Sequence, residues 1–266
     1  MLARFIGCQW GHNLVSCVIN HSKTTRIAIP TKCSLCQASN IASILSSSEW
    51  QGKRCFIIGG GPSLENFDFH KLDGELTIGV NKAFIAFSPT INYAMDLRFY
   101  DALNSPDKRD LKAVELHNKW VAYKGIKVFL KRSEKTRFDP SVYVVNSLPN
   151  KAISFDLKKG IWGGNNSGFG ALMLAVALGS KKIGLLGFSM KVDEKKGRTH
   201  WHEGYPDQSL QALPKKLKSF AQCFEEFALS IASNEIEVVN LDPDSALGCF
   251  PKDSLENFLL RNICKV

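Results

Sequence analysis

The chain has 266 residues, of which 44% are hydrophobic and 22% are charged, and its formal net charge at pH 7 is +9. These proportions are ordinary for a soluble globular protein that can bury a large core, and no apolar run is long enough to cross a bilayer. The positive charge favours an anionic partner such as a nucleotide, a phosphorylated substrate, nucleic acid or an anionic glycan, without choosing among them. Eight cysteines at irregular spacings favour a reducing compartment, so we expect a cytoplasmic protein.

The N-terminal segment, residues 1–50, differs in composition from the rest and is predicted to be an extension of the main domain. It contains the C-x₂-C pair Cys33 and Cys36, preceded by two C-x₃-H pairs, Cys8–His12 and Cys17–His21. One such pair and the C-x₂-C pair would supply four ligands for a structural zinc ion. An organelle-targeting segment, which is typically basic, serine-rich and poor in acidic residues, and a plain extension that packs on the main domain are the alternatives.

The main domain, residues 51–266, opens with a short apolar run that ends at three consecutive glycines. Such a run predicts a buried parallel strand, and the glycines allow a sharp turn and a close approach to a ligand. Pro62 suits the first turn of a helix, and a helix start directs N–H groups at an anion. A tight strand–helix turn without a ligand is the alternative. The residues predicted to bind a nucleotide here are Gly59, Gly60, Gly61, Pro62 and Ser63.

The next two predicted strands, Leu76–Val80 and Ile91–Asp96, are each followed by or end on a polar residue. Ligands bind beyond the carboxyl ends of parallel strands, so Asn81 and Asp96 are expected to line one edge with the glycine turn. Asn81 and Leu64 stand where a dinucleotide fingerprint has an acidic residue and a glycine, which argues against NAD. Asn81 is predicted to contact a base or sugar, and Asp96 to bind a metal, contact a sugar or act as a base. The alternatives are a side chain that caps a turn and one that caps a helix.

The remainder alternates strands with helices, which predicts an α/β, Rossmann-like fold with a mostly parallel sheet and helices on both faces. The further strands are predicted at Ile126–Leu130, Val142–Val145, Lys182–Phe188 and Glu235–Asn240. The helices are predicted near Ser63–Leu72 and at Leu97–Leu103, Phe169–Leu178, Leu213–Ser233 and Ser254–Ile263. In the long helix, the stripe of Phe220, Phe224 and Phe227 is predicted to be core.

Two further segments of this domain are candidates for ligand binding. The residues before the helix Phe169–Leu178 are small and polar and predict a second anion or sugar site; they are Asn165, Asn166, Ser167 and Gly168. A basic run follows the strand Ile126–Leu130 and consists of Lys131, Arg132, Lys135 and Arg137. This run is either solvated surface or a contact for an anionic acceptor.

A polar loop after the strand Lys182–Phe188 contains the sequence His-Trp-His-Glu-Gly-Tyr, residues 200–205. Histidine is the usual general base near neutral pH. Residues two apart in an extended segment point the same way, so His200 and His202 are predicted to reach one site, with Tyr205 nearby. Surface histidines without a function are the alternative.

Taken together, the motifs Ile-Ile-Gly-Gly-Gly-Pro-Ser-Leu, Val-Asn-Lys-Ala-Phe, Tyr-Ala-Met-Asp, Asn-Ser-Gly-Phe-Gly-Ala and Ile-Gly-Leu-Leu-Gly-Phe resemble two related groups. One is the bacterial sialyltransferases of glycosyltransferase family 42. The other is the MptE-like group, which includes 6-hydroxymethylpterin pyrophosphokinases, flagellin-modifying motility accessory factors and phage-encoded proteins. The phage-encoded branch is the most similar, because it also carries a His-Trp-His segment, and the resemblance spans residues 53–262. It implies a protein of the cytoplasm of a bacterium or a phage-infected host.

The sialyltransferase resemblance implies a fold that binds a CMP-sugar, with a histidine as base and phenols that help the phosphate leave. It places Gly59–Ser63 against the phosphate, Asn81 at the nucleotide and Asn166–Gly168 at a donor-binding helix start. Asp96 stands where those enzymes have a second asparagine, and Ser189 where relatives in the phage branch commonly have Asp. Both departures put a functional contact in doubt.

Three functions follow, in this order. The first is a transferase that moves a sugar from a nucleotide-sugar to a hydroxyl acceptor without an essential metal, with His202, His200, Tyr205 and Asp96 as catalytic candidates. The second is a pyrophosphokinase that uses ATP and magnesium on a pterin-like alcohol, with Asp96 as the metal ligand. The third is a non-enzymatic nucleic-acid binder that carries zinc on Cys33 and Cys36.

Overall fold

The computed structural model describes residues 37–192, 199–202 and 213–261. From Ala38 onward these residues belong to one compact unit, which begins ahead of the boundary expected at residue 51. Cys33, Cys36 and Tyr205 lie outside the described residues, so their predicted roles stay predictions.

The centre of this unit is an eight-stranded sheet in which every neighbouring pair is parallel. The strands are β1 (Ser39–Asn40), β2 (Arg54–Ile58), β3 (Leu76–Val80), β4 (Ile91–Ala94), β5 (Ile126–Lys131), β6 (Tyr143–Asn146), β7 (Lys182–Leu186) and β8 (Glu237–Asn240). Their order across the sheet is β1-β6-β5-β4-β3-β2-β7-β8. This confirms the predicted α/β fold; β1 was not predicted, because two residues carry no readable periodicity.

Helices cover both faces of the sheet. They are α1 (Leu97–Asn104), α2 (Leu111–Ala122), α3 (Ser167–Ala177), α4 (Leu213–Ser233) and α5 (Leu255–Leu260). In β2, Cys55 and Ile57 pack in the same cluster as α3 and α4, whereas Phe56 and Ile58 pack with α5. A strand buried on both sides reads as a continuous apolar run, which is why β2 was recognisable in the sequence. None of the helices in the described part of the chain combines the length and the apolar character that a membrane crossing requires.

The prediction of a helix near Ser63–Leu72 is wrong. This segment holds two single turns of 3-10 helix, Pro62–Leu64 and Phe69–Leu72. Between them Asn66 has a φ of 61°, a left-handed conformation that a right-handed helix cannot contain. Pro62 does open its turn, as predicted, but the turn does not continue into an α-helix.

Helix α3 lies in the core of the described unit. All of its residues except Gly168 are buried, so it is apolar on every side rather than along one stripe. It leads from the side of the sheet that holds β6 back to β7, which lies next to β2. The strands that follow β2 extend the sheet in one direction and β7 and β8 extend it in the other. The crevice beyond the carboxyl ends of β2 and β7 is therefore the place where open α/β sheets bind ligands.

The burial of α3 predicts a large difference between two leucine truncations. Leu174 is 0% exposed and Leu229 on α4 is 84% exposed. We expect Leu174→Ala to lower the free energy of unfolding by about 2–5 kcal/mol and Leu229→Ala to change it by about 0.5 kcal/mol or less. Urea denaturation measures both, and equal losses would show that α3 is not the core helix.

Candidate functional site

A cavity of about 640 Å³ opens beyond the carboxyl ends of the strands. Its described lining comes from the glycine turn after β2, from residues after β3, β4, β5 and β7, from His200 and His202, and from the starts of α1, α3 and α4. The volume lies in the range of small-molecule sites. The cavity thus occupies the crevice between β2 and β7, the point at which the order of the strands along the sheet reverses.

The three glycines of the turn are in close contact with their neighbours. The N–H groups of Gly59 and Gly61 donate to the carbonyls of Leu186 and Gly187, at 2.8 Å each. A Cβ on Gly59 or Gly61 would stand 2.6 Å from the Gly187 oxygen, and a Cβ on Gly60 would stand 2.6 Å from Cδ2 of His200. The turn therefore requires glycine for packing, and two of its N–H groups bind β7 and its turn rather than facing a phosphate as predicted.

The His-Trp-His segment is fixed on this turn through its tryptophan. The N–H of Trp201 donates to the Gly60 carbonyl at 3.0 Å, and its indole Nε1 donates to the Gly59 carbonyl at 3.4 Å. The ring packs beside Phe69, with centroids 6.2 Å apart, on the apolar cluster that includes β2. His200 and His202 both line the cavity, with ring centroids 5.5 Å apart. Both histidines therefore reach one site, as predicted from their spacing of two residues.

His200 is neutral at pH 7. Burial, and then the positive charges of Lys216 and Lys82, lower its pKa to about 4. Its Nδ1 lies 2.8 Å from the hydroxyl of Thr199. When Nδ1 carries the proton and donates to that hydroxyl, Nε2 keeps its lone pair and is able to accept a proton.

The start of α3 is one of the helix N-termini that line the cavity. Asn166 is the N-cap, and its side chain accepts from the N–H of Phe169 at 2.8 Å. Ser167 and Gly168 also line the cavity, and the first N–H groups of a helix lack partners within it. A Cβ on Gly168 would stand 2.7 Å from the Phe188 ring. This helix start keeps the geometry that can bind an anion, and the site that the sequence analysis predicted here stays a prediction.

Asn165 faces helix α4 as well as the cavity. Its Nδ2 donates to the carbonyl of Ser219 at 3.0 Å, and its Oδ1 accepts from Nδ2 of Asn166 at 3.0 Å and from the thiol of Cys223 at 3.1 Å. These contacts place α4 against the start of α3. Asn165 thus positions the loop before α3 through contacts within the protein.

Asn81 and Asp96 both line the cavity, as their positions after β3 and β4 predicted. Asn81 has a φ of 52°, and its carbonyl accepts from Nδ2 of Asn92 at 2.9 Å. The short turn that begins at Asn81 has Val80 as its N-cap and no side-chain cap bond, so the capping alternative for Asn81 is wrong. Asp96 is the N-cap of α1, and its Oδ1 accepts from the N–H of Arg98 at 2.8 Å. For Asp96, the structure thus contains the helix cap that was the alternative interpretation.

The cavity wall is strongly basic. Its described lining carries one carboxylate, Asp96, and four cationic side chains, which are Arg98, Arg132, Lys191 and Lys216. Of the basic run 131–137, only Arg132 reaches the described lining, where its guanidinium donates to the carbonyl of Gly164 at 3.0 Å. Lys131 pairs with Glu134 instead. Arg98, Lys191 and Lys216 were missed because single basic residues in helices and loops carry no spacing signal.

A buried carboxylate behind the glycine turn was also missed. Asp242, which is 6% exposed, accepts from the hydroxyl of Ser189 at 2.6 Å, and Ser189 lies 3.2 Å from the hydroxyl of Ser63. Ser63 and Pro62 line a second cavity on this side rather than the first one. The hydroxyl of Ser189 would stand 2.8 Å from a Cβ on Gly61. Asp242 therefore holds the turns after β2 and β7 together from behind, and only its position just after β8 could have indicated this.

Comparisons with known proteins find similarity at the level of structure. No protein-family model matches the chain, and no curated protein matches it. Among solved structures, the crystal structure of the sialyltransferase CST-II in complex with a trisaccharide acceptor and CMP is similar to 75% of this chain, over 85% of its own. The sequence identity is 16% and the TM-score is 0.42.

The hydrogen bond between Asp242 and Ser189 predicts a stability loss that a neighbouring carboxylate does not share. We expect Asp242→Ala to lower the free energy of unfolding by about 1–3 kcal/mol. The buried Ser189 hydroxyl loses its carboxylate acceptor at 2.6 Å and keeps only the longer contact with Ser63 at 3.2 Å. Asp244→Ala, at an exposed position two residues away, should change it by about 0.5 kcal/mol or less. A double-mutant cycle with Ser189→Ala should give a coupling above about 0.5 kcal/mol, and additive losses would contradict the contact.

Proposed function

We propose that this protein is a glycosyltransferase that moves a sugar from a nucleotide-activated donor, a CMP-sugar or similar, to a hydroxyl of a glycan or other acceptor. The observation that carries the proposal is a neutral imidazole, His200, in the same cavity as the first N–H groups of α3. The chain thus supplies a proton acceptor and an anion-binding helix start within one basic crevice.

In this proposal the donor phosphate binds at the start of α3. The N–H groups of Ser167 and Gly168 and the ammonium of Lys216 would bind its oxygens, since helix N-termini favour anions. The nucleoside extends toward Asn81 and the glycine turn, consistent with the resemblance of their motifs to those of sialyltransferases. The cationic lining compensates for the charge of the phosphate.

The chemical step is a displacement at the anomeric carbon. Nε2 of His200 takes the proton of the acceptor hydroxyl while the acceptor oxygen forms a bond to the anomeric carbon. The bond between that carbon and the phosphate oxygen breaks, and the electron pair leaves with the nucleoside monophosphate. The helix N–H groups and the cations stabilise the charge that develops on the phosphate. In this proposal His202, whose ring centroid is 5.5 Å from that of His200, binds the acceptor or the phosphate, and Tyr205 remains the predicted phenol.

Two alternatives are less well supported. A pyrophosphokinase would bind magnesium through Asp96, but one oxygen of that carboxylate already accepts from the Arg98 N–H. A zinc-bearing nucleic-acid binder depends on Cys33 and Cys36, which lie outside the described residues. A structural zinc at those cysteines remains compatible with the transferase, whose chemical step uses no metal.

The proposal predicts that replacing His200 greatly reduces catalysis but leaves nucleotide binding intact. CMP should raise the melting temperature of the wild-type protein and of His200→Gln. The release of CMP from CMP-sialic acid in the presence of a glycan acceptor panel should fall about 10²–10⁴-fold in His200→Gln, because the base is lost.

His70→Gln is the matched control, because the His70 side chain is 89% exposed and outside the described cavity lining. It should change neither the melting temperature with CMP nor the rate. If CMP, UDP and GDP all leave the melting temperature of the wild-type protein unchanged, the proposal is wrong.

A further inference from the structure

Lys216 and His200 share one wall of the cavity. Lys216 lies in the first turn of α4, and its ammonium is 5.5 Å from the ring centroid of Phe220. Phe220 was predicted to belong to the core, but like Lys216 it lines the cavity. This cation–π contact favours a position of the ammonium over the cavity rather than away from it in solvent. After burial, the positive charge of Lys216 is the next largest cause of the lowered pKa of His200.

We propose that Lys216 couples donor binding to catalysis: an anion bound between Lys216 and the start of α3 offsets the charge of the lysine and makes His200 a stronger base. This inference rests on the proposed function and assigns a role to a residue that no sequence motif indicated. The donor phosphate then has two roles: it makes His200 a stronger base, and it departs as part of the leaving group.

Among the described residues, the charges that act on the pKa of His200 are those of Lys216 and Lys82, and both are positive. Lys82 lies in the turn after β3 and Lys216 in α4, and the segment of His200 itself contributes Thr199 and the ring of His202. The other charged groups on the described cavity lining are Arg98, Arg132, Lys191 and Asp96. With the cavity unliganded, burial and the lysines lower the pKa of His200 to about 4, too low for efficient removal of a hydroxyl proton at pH 7.

A bound phosphate places negative charge among these cations and offsets part of their field. An opposite charge within about 4–6 Å stabilises the imidazolium and raises a histidine pKa by about one to three units. His200 would thus become an effective base when the donor is in place. When the nucleoside monophosphate leaves, the pKa falls again, and the proton taken from the acceptor passes from the imidazolium to water. The coupling predicts that the donor binds before a proton can be removed from the acceptor.

The test is an NMR titration of the histidine ring signals in the full-length protein, with His200→Gln used to assign His200. Without ligand, His200 should titrate near pH 4, and saturating CMP should raise this midpoint by about one to three pH units. Lys216→Gln should raise the midpoint of the ligand-free protein and reduce the further rise that CMP causes. Lys218→Gln, on the same helix but lining the second cavity, should leave the wild-type behaviour unchanged.

The outcomes separate this inference from the proposed function. If CMP shifts the backbone amides of the α3 start but leaves the His200 midpoint where it was, the coupling is refuted and the nucleotide site stands. If CMP shifts no signal of the protein, both are refuted. If Lys218→Gln moves the midpoint as much as Lys216→Gln does, the coupling is a general charge effect and the assignment to Lys216 is wrong.

Discussion

The contact between the turns after β2 and β7 is the constraint on which the rest of the site depends. Gly61 donates to the carbonyl of Gly187, and neither Gly59 nor Gly61 leaves room for a side chain there. Because the two backbones lie this close, the carbonyls of Gly59 and Gly60 are presented to Trp201. The tryptophan then determines which way the flanking histidines face. A packing requirement of glycine thus positions the candidate base.

The electrostatics of the cavity follow from its place in the fold. A parallel sheet brings the carboxyl ends of its strands to one edge, so residues from distant parts of the sequence, such as Arg132 and Lys216, meet there. Helix α3 adds its N-terminal N–H groups, and burial keeps His200 neutral among cations. In the proposed mechanism, the positive charge that attracts a phosphate also weakens the base, and binding of the phosphate offsets this effect.

The strands were predictable because they are short, apolar and bounded by glycine or polar residues, as in β2 and β3. The cavity residues directly after strands, Asn81 and Asp96, were predictable from the rule that ligands bind at that edge. The glycine turn was recognised, but its glycines were attributed to phosphate binding. Their contact with Gly187 depends on a segment about 130 residues later, which no local pattern encodes.

Other parts of the site were out of reach for a similar reason. Asp242 acts through Ser189, and their hydrogen bond joins two turns that are adjacent only because β8 lies beside β7. The role of Asp96 as a helix cap was among the alternatives, and spacing alone had no means of choosing between a cap and a catalytic group. Single cations such as Lys216 become meaningful only once the fold places them on a common wall.

A crystal structure of the protein with CMP tests the central claim most directly. The account predicts that the phosphate lies within hydrogen-bonding distance of the Ser167 and Gly168 N–H groups, with His200 beside it and Lys216 turned toward it. A phosphate bound to the glycine turn and away from α3, or a nucleotide bound outside this cavity, would contradict the account.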